Sequence, residues 1–409
     1  MLLTRPSSPQ AYLLLAFSLI YVATFVHVRR VAAPDPGSFF FDPRQGYSRT
    51  YTNLRTQAAT DFIAAAGNDA ERTKAGPHPS ICVGIPTVQR SNVRYFRAVV
   101  GSLLLDLSER DRRDVVILPF IANTVPAEHE AHNETWLRSL ADDVLTYEHI
   151  SDANLTRLRE LRSLSNHQQK ALFDYSFVLD QCHQRGAPYT LMLEDDVLAA
   201  PVWYRNLKSA IAALERQSSS RYDGSLYVRL FYNTRIQGWN SESWPHYLLW
   251  SVILELVLAS LLLLLSTKSL TAAKVLTLRA SFFILFVYTP ACILLYFAAG
   301  PLTVQPYRQG IHSMNAYGCC SQALLFPRQQ IDPMLAYFRG EVEDVDTLIE
   351  QYADEYMLTR WALSPSVFQH VGSRSSKWSD EKAATEKVDG NGLVSTERIW
   401  NWQFERWAS

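Results

Sequence analysis

YLLWSVILELVLASLLLLLS (residues 247–266) and ASFFILFVYTPACILLYFAAG (residues 280–300) decide the class of this chain. Each run has the roughly 17 to 25 mostly apolar residues that a helix needs to cross the hydrocarbon core of a bilayer. A buried helix of a globular domain would be shorter and would carry a polar stripe. The runs are joined by STKSLTAAKVLTLR (266–279), which holds Lys268, Lys274 and Arg279, and short loops rich in Lys and Arg stay cytosolic. Residues 247–300 are therefore expected to form a two-helix transmembrane hairpin with a cytosolic loop at 267–279 and both flanks in the lumen. Glu255 lies inside the first run, where an ionisable group needs a partner; Tyr288 or Thr289 of the second run is expected to supply one.

A third apolar run, AYLLLAFSLIYVATFVHV (11–28), follows Arg5 and lacks a small-x-small cleavage pattern at its end. It is expected to be an uncleaved transmembrane signal anchor behind a cytosolic tail of residues 1–10. Arg29 and Arg30 then fall on the lumenal side, against the positive-inside tendency; the three cations of the short hairpin loop outweigh them. Two sequons, Asn133-Glu-Thr135 and Asn154-Leu-Thr156, fit a lumenal setting. So do Cys82, Cys182, Cys319 and Cys320, an even number outside the spans, whose pairing stays open between separate partners and a vicinal bridge. The 39 basic and 40 acidic residues leave a net charge of −1, and no basic cluster suggests nucleic acid as a partner.

Outside the hairpin the pattern is that of an α/β domain. Residues 29–80, rich in Pro and Gly around 33–46 and 66–80, read as a lumenal stem. ICVGIPTVQR (81–90) opens with a short apolar strand that ends at Gly84 and Pro86, SNVRYFRAVVGSLLLDL (91–107) is helix-like, and DVVILPFIA (114–122) is a second strand. A helix over 165–182 follows, with Ala171, Leu172, Tyr175, Val178 and Leu179 at helical spacing; Gly186, Ala187 and Pro188 end it before the strand of YTLMLEDDVLAAP (189–201), and SLYVRLFYN (225–233) is a further strand. The portion after the hairpin is too small for a second catalytic domain. The expectation is one domain in two parts, 81–246 and 301–378, interrupted by the hairpin, with a C-terminal lumenal tail over 379–409 whose run IWNWQFERW (399–407) is expected either to dock on the domain or to rest at the membrane interface, where Trp is enriched.

In YTLMLEDDVLAAP the apolar run gives way to Glu194, Asp195 and Asp196. On a continuing strand Glu194 and Asp196 would share one face and Asp195 the other. Hard cations such as Mn²⁺ or Mg²⁺ take carboxylate oxygens and leave positions for phosphate, and the carboxyl ends of strands are where α/β folds bind ligands. An acidic triplet there is suited to holding a nucleotide diphosphate through a metal; surface turns and helix caps rich in acid are the plainer alternative.

YTLMLEDDV (189–197), ICVGIPTVQR (81–90), HSMNAYGCCSQALLFP (312–327) and PSVFQHVGSRSSK (365–377) together resemble the post-GPI-attachment N-acetylgalactosaminyltransferase family, and more distantly N-acetylglucosaminyltransferase IV. The inserted hairpin favours the first. This resemblance implies a GT-A fold, Rossmann-like with a mixed sheet, and a metal-dependent, inverting transfer from UDP-GalNAc to a mannose of the GPI glycan at the Golgi membrane, in contact with membrane lipids. It implies Asp196 as the metal ligand, with Glu194 and His370 as further metal contacts, and Glu194 and Asp195 supporting the metal or the ribose. Pro86, Thr87 and Arg90 would close over the uridine, while Ser373, Ser375 and Lys377 would hold phosphate oxygens. An inverting transfer needs a carboxylate base, for which Asp344 and Asp346 are the candidates; both would serve equally as charges favoured at a helix N-terminus, as His370 would serve as an interior histidine. A UDP-GlcNAc-dependent transferase acting on N-glycans or another glycan, and a non-catalytic membrane adaptor of the same fold, are the alternatives.

Overall fold

The computed structural model describes residues 9–66, 73–90, 94–150, 152–163, 166–221, 224–314, 320–373 and 393–408. The chain divides into two compact units, Met1–Tyr47 with Gln237–Pro306, and Ser48–Ile236 with Tyr307–Ser409.

The first unit contains three helices long and apolar enough to cross a membrane. The first runs Pro9–Val31, taking Arg29 and Arg30 into its last turn, so it outlasts the 11–28 expected from hydropathy. The second is Trp244–Lys268. The third begins as Leu278–Phe283, widens to a π-helical turn over Ile284–Tyr288, and continues as Thr289–Ala299. Pro290 explains the widening: it has no N–H, and its ring would strike the carbonyl one turn back. Thr289 Oγ1 donates to the Ile284 carbonyl at 2.8 Å. The Tyr288 hydroxyl meets Ser18 Oγ at 2.7 Å, and its ring stacks on Phe17. Both expected partners of Glu255 are thus engaged elsewhere, which corrects that expectation.

The second unit is built on an eight-stranded mixed sheet. Its strands are β1 (Ile81–Thr87), β2 (Val115–Ile121), β3 (Leu145–Thr146), β4 (Tyr189–Leu193), β6 (Ser225–Arg229), β7 (Gly310–Ser313), β8 (Ala323–Pro327) and β9 (Thr359–Ser364), in the order β3-β2-β1-β4-β8-β6-β9-β7. Strands β5 (Val197–Ala199) and β10 (Phe368–His370) form a separate antiparallel pair. β3, β2, β1 and β4 run parallel, and β8 is antiparallel to β4. Along β1, Ile81, Val83 and Ile85 belong to one buried cluster and Cys82 to another; along β2, Ile117 and Leu118 divide in the same way. This is the period-two alternation of a sheet covered on both faces. The helix His167–Gln184 covers one face with Leu172, Tyr175, Val178 and Leu179, and a disulfide between Cys82 and Cys182 fastens it to β1. Cys320 is also disulfide-bonded.

Two segments assigned to the periphery belong to the body of this unit. The helix Thr50–Ala65, expected in the stem, buries Ala59 and Ile63. Its Arg55 donates through Nε to the Ala199 carbonyl and through Nη2 to the Ser102 carbonyl, each at 2.9 Å. Of the two placements expected for the C-terminal run, docking on the domain is the one found: it buries Trp400, Trp402 and Phe404. Its Glu405 accepts from the backbone N–H groups of Tyr51 and Thr52, satisfying donors that the first turn of the Thr50–Ala65 helix leaves open.

Candidate active site

Strands β1 and β4 run side by side, with Gly84 in register with Met192, so both release the chain at the same edge of the sheet. β4 ends at Leu193, and Glu194, Asp195 and Asp196 form a turn before β5 begins. The expected strand alternation therefore does not hold: Asp195 and Asp196 engage the same partner. Antiparallel pairing of β10 with β5 puts His370 opposite Val197, and the Val371 N–H donates to the Asp196 carbonyl at 2.8 Å. This pairing carries the His370 ring to the acidic turn, with Nε2 at 3.7 Å from Asp196 Oδ2.

These residues line one cavity of about 320 Å³, together with Pro86, Thr87, Arg90, Ser321 and Asp346. Arg90 donates through Nη1 to Asp196 Oδ2 at 2.9 Å and through Nη2 to Asp195. Thr87 Oγ1 donates to Asp195 Oδ2 at 2.7 Å, and Ser321 Oγ donates to Glu194 Oε1 at 2.9 Å. Behind Thr87 stands His129, which no sequence signal marked. Its Nδ1 accepts from the Ala131 N–H, so Nε2 carries the proton and donates to Thr87 Oγ1 at 3.1 Å. A chain of donors thus runs from backbone to imidazole to hydroxyl to Asp195.

The three carboxylates are differentiated by their surroundings. Burial, reinforced by the Asp196 charge, pushes Glu194 up to about 7. Burial also raises Asp195, against the opposing pull of Arg90. For Asp196 burial is outweighed by Arg90 and His370, and its carboxyl falls below the usual range. Burial would lower His370, but Asp196 dominates and raises it.

Among the described residues no three His, Cys, Asp or Glu side chains converge as a ready metal cage, so the expected trio of Asp196, Glu194 and His370 is not assembled as three ligands. Two of its donors do fit a cation. Asp196 Oδ1 is buried without a hydrogen-bond partner. His370 Nδ1–H donates to the Ile399 carbonyl at 3.0 Å, which aims Nε2 at Asp196 and the cavity, where a cation would take the place of the proton that Asp196 favours, the arrangement usual for a ligating histidine. One or two protein donors completed by water and phosphate is a normal Mg²⁺-type set.

The helix Val345–Glu355 has Asp344 at its N-cap and Asp346 in its first turn. Asp346 lines the cavity, whereas Asp344 accepts from Gln168 Nε2 at 3.3 Å and is absent from the described lining. Ser373 is held by Tyr95, whose hydroxyl accepts from its N–H at 2.8 Å. Ser373 too is absent from that lining. Ser375 and Lys377 lie outside the described residues. Thr396 and Ile399 of the C-terminal segment also line the cavity.

A family model described as GPI-N-acetylgalactosamine transferase PGAP4 matches residues 81–369. Among curated proteins, the chain is similar to alpha-1,3-mannosyl-glycoprotein 4-beta-N-acetylglucosaminyltransferase B of Mus musculus, with 28% identity over 141 residues that cover 32% of this chain and 26% of that protein. The human B form and the A form of Gallus gallus are each 28% identical over 141 residues, with the same coverage. The match spans about a quarter of the length of these relatives.

Proposed function

The chain belongs to the GPI-N-acetylgalactosamine transferase family, and on that premise we propose that it transfers GalNAc from UDP-GalNAc to a mannose of the GPI glycan, with inversion, at the lumenal face of the Golgi membrane. The observation that carries this is the family match over residues 81–369, which takes in both sides of the hairpin and the cavity residues from Pro86 to Gln322, and Asp346, of the lining.

In the proposed reaction the acceptor hydroxyl oxygen forms a bond to C1 of the sugar as the bond from C1 to the β-phosphate oxygen breaks. The hydroxyl proton passes to the Asp346 carboxylate as general base. Asp196 and His370 Nε2 would hold a divalent cation, Mn²⁺ or Mg²⁺, which when bound would supply positive charge to offset the negative charge developing on the UDP leaving group. Glu194, whose Oε1 accepts from Ser321, would support the metal or hold a ribose hydroxyl. The Ala131–His129–Thr87 chain fixes Asp195, and Pro86 and Thr87 border the nucleotide.

Full-length protein in detergent, given UDP-GalNAc and a GPI-glycan acceptor, is expected to add one N-acetylhexosamine, seen by mass spectrometry. Asp196→Ala is expected to abolish this. The match to 4-beta-N-acetylglucosaminyltransferases supports a second reading, in which UDP-GlcNAc is the donor. Transfer from UDP-GlcNAc alone would establish that alternative; no transfer from either donor would leave the adaptor role.

A further inference from the structure

The cationic partner of the acidic turn comes from the chain itself. The Arg90 side chain is 10% exposed and meets Asp195 and Asp196, themselves 8% and 6% exposed at the side chain. The Tyr95 ring lies 5.3 Å from its guanidinium carbon. One guanidinium therefore bridges two carboxylates at the place where the proposed divalent cation would bind.

We propose that Arg90 is a resident counter-cation of the Asp195–Asp196 pair, which competes with the divalent cation and is transferred to the diphosphate when nucleotide and cation enter together. The proposal rests on the metal-dependent transfer described above. Two buried carboxylates without a cation are costly, so in the nucleotide-free protein the guanidinium stabilises the turn. A divalent ion on Asp196 would face Arg90 at close range and repel it, so binding the ion requires breaking the Arg90–Asp196 contact. A diphosphate offers the displaced planar guanidinium pairs of anionic oxygens, which it can take in bidentate fashion. Metal and nucleotide are then coupled, and by linkage each raises the affinity of the other by the same factor.

Mn²⁺ binding to full-length protein in detergent, measured by calorimetry and by the paramagnetic resonance signal of free Mn²⁺, tests this without reference to turnover. Wild-type protein is expected to bind Mn²⁺ weakly alone and about tenfold or more tightly with UDP, within the usual range of such couplings. Arg90→Gln is expected to tighten Mn²⁺ binding in the absence of UDP by about the same factor, and to shrink the coupling. Should Arg90→Gln fail to fold, Arg90→Lys is read instead; its ammonium keeps the charge but lacks the rigid fork that spans both carboxylates, so an intermediate tightening is expected. Unchanged or weaker Mn²⁺ binding in the folded variant, with coupling intact in wild type, would overturn the role of Arg90 while leaving metal-dependent transfer standing. Absence of Mn²⁺ binding to wild type with UDP present would overturn both.

Discussion

Gly372 passes so close to the acidic turn that a Cβ there would overlap Asp196 Oδ2 and approach His370 Nε2 at 2.8 Å. Both neighbours are buried and held by other contacts, so they cannot yield cheaply. Gly372→Ala is expected to lower kcat/KM for transfer by about tenfold or more, equivalent to at least ~1.4 kcal/mol of transition-state stabilisation. Gly224→Ala, where a Cβ meets nothing within 4 Å, is the control. His129 makes a different prediction. Burial pushes its imidazole down to about 4, so in the folded state it stays neutral while the unfolded chain takes up a proton near pH 6.5. The stability it contributes is complete above pH 6.5 and is lost as the pH falls from there through 4, by at most about 3 kcal/mol. Melting temperature is expected to fall less between pH 7 and pH 5 in His129→Gln than in wild type; equal falls would remove this role.

Three elements meet at the cavity, and each is secured by a different kind of bond. The helix His167–Gln184, which carries Asp174 and Tyr175 to the cavity wall, is stapled to β1 by Cys82–Cys182, residues 100 apart in sequence. Closing so long a loop removes much of the unfolded chain's freedom. The double variant Cys82→Ala, Cys182→Ala is expected to lose about 2 to 5 kcal/mol of stability, read as a lower melting temperature under non-reducing conditions. Strand β10, which carries His370, is held by side chain to backbone exchange: Gln369 Nε2 donates to the Asn401 carbonyl at 2.9 Å, and the Asn401 N–H returns to Gln369 Oε1 at 3.1 Å. The Ile399 carbonyl, two residues away, then fixes the tautomer of His370. The C-terminal segment thus acts on the site through the imidazole it orients. The helix Val345–Glu355 is tied in by Glu350, which accepts from Arg229 Nη2 and from the Tyr227 hydroxyl, and this sets the position of Asp346 at its first turn.

For the whole molecule, three helices among the described residues are long and apolar enough to cross a bilayer, and the Lys and Arg of the hairpin loop predict a cytosolic loop with lumenal flanks. Asn133 and Asn154 are both exposed, as glycosylation acceptors must be. If the flanks of the hairpin are lumenal, endoglycosidase treatment of protein from cells is expected to lower its apparent mass, and Asn133→Gln with Asn154→Gln is expected to abolish the shift. An epitope inserted between Thr271 and Lys274 should then be reached by antibody only from the cytosolic side; labelling from the lumenal side would reverse the topology. By itself the sequence determined the three apolar helices, the strands that open at Ile81 and at Tyr189, the helix that precedes the second of them, and the acidic triplet at its end, because each is written in local periodicity and in the turn residues that bound it; the extension of the first strand to Thr87 and the turn formed by the triplet came from the fold. His370 was legible through resemblance alone, since a lone histidine in a short strand has no local signature, and His129 was not legible at all. Arg90 was read as a nucleotide contact, and its bridging of Asp195 and Asp196 appears once β1 and β4 are neighbours. The stem helix and the C-terminal segment looked peripheral because Gly, Pro and polar residues around them resemble linkers; their buried faces are satisfied by partners far away in the chain. Tertiary structure decided those points, because strand pairing and buried-charge partners depend on which segments the sheet brings together, and that information is not carried in any single stretch of sequence.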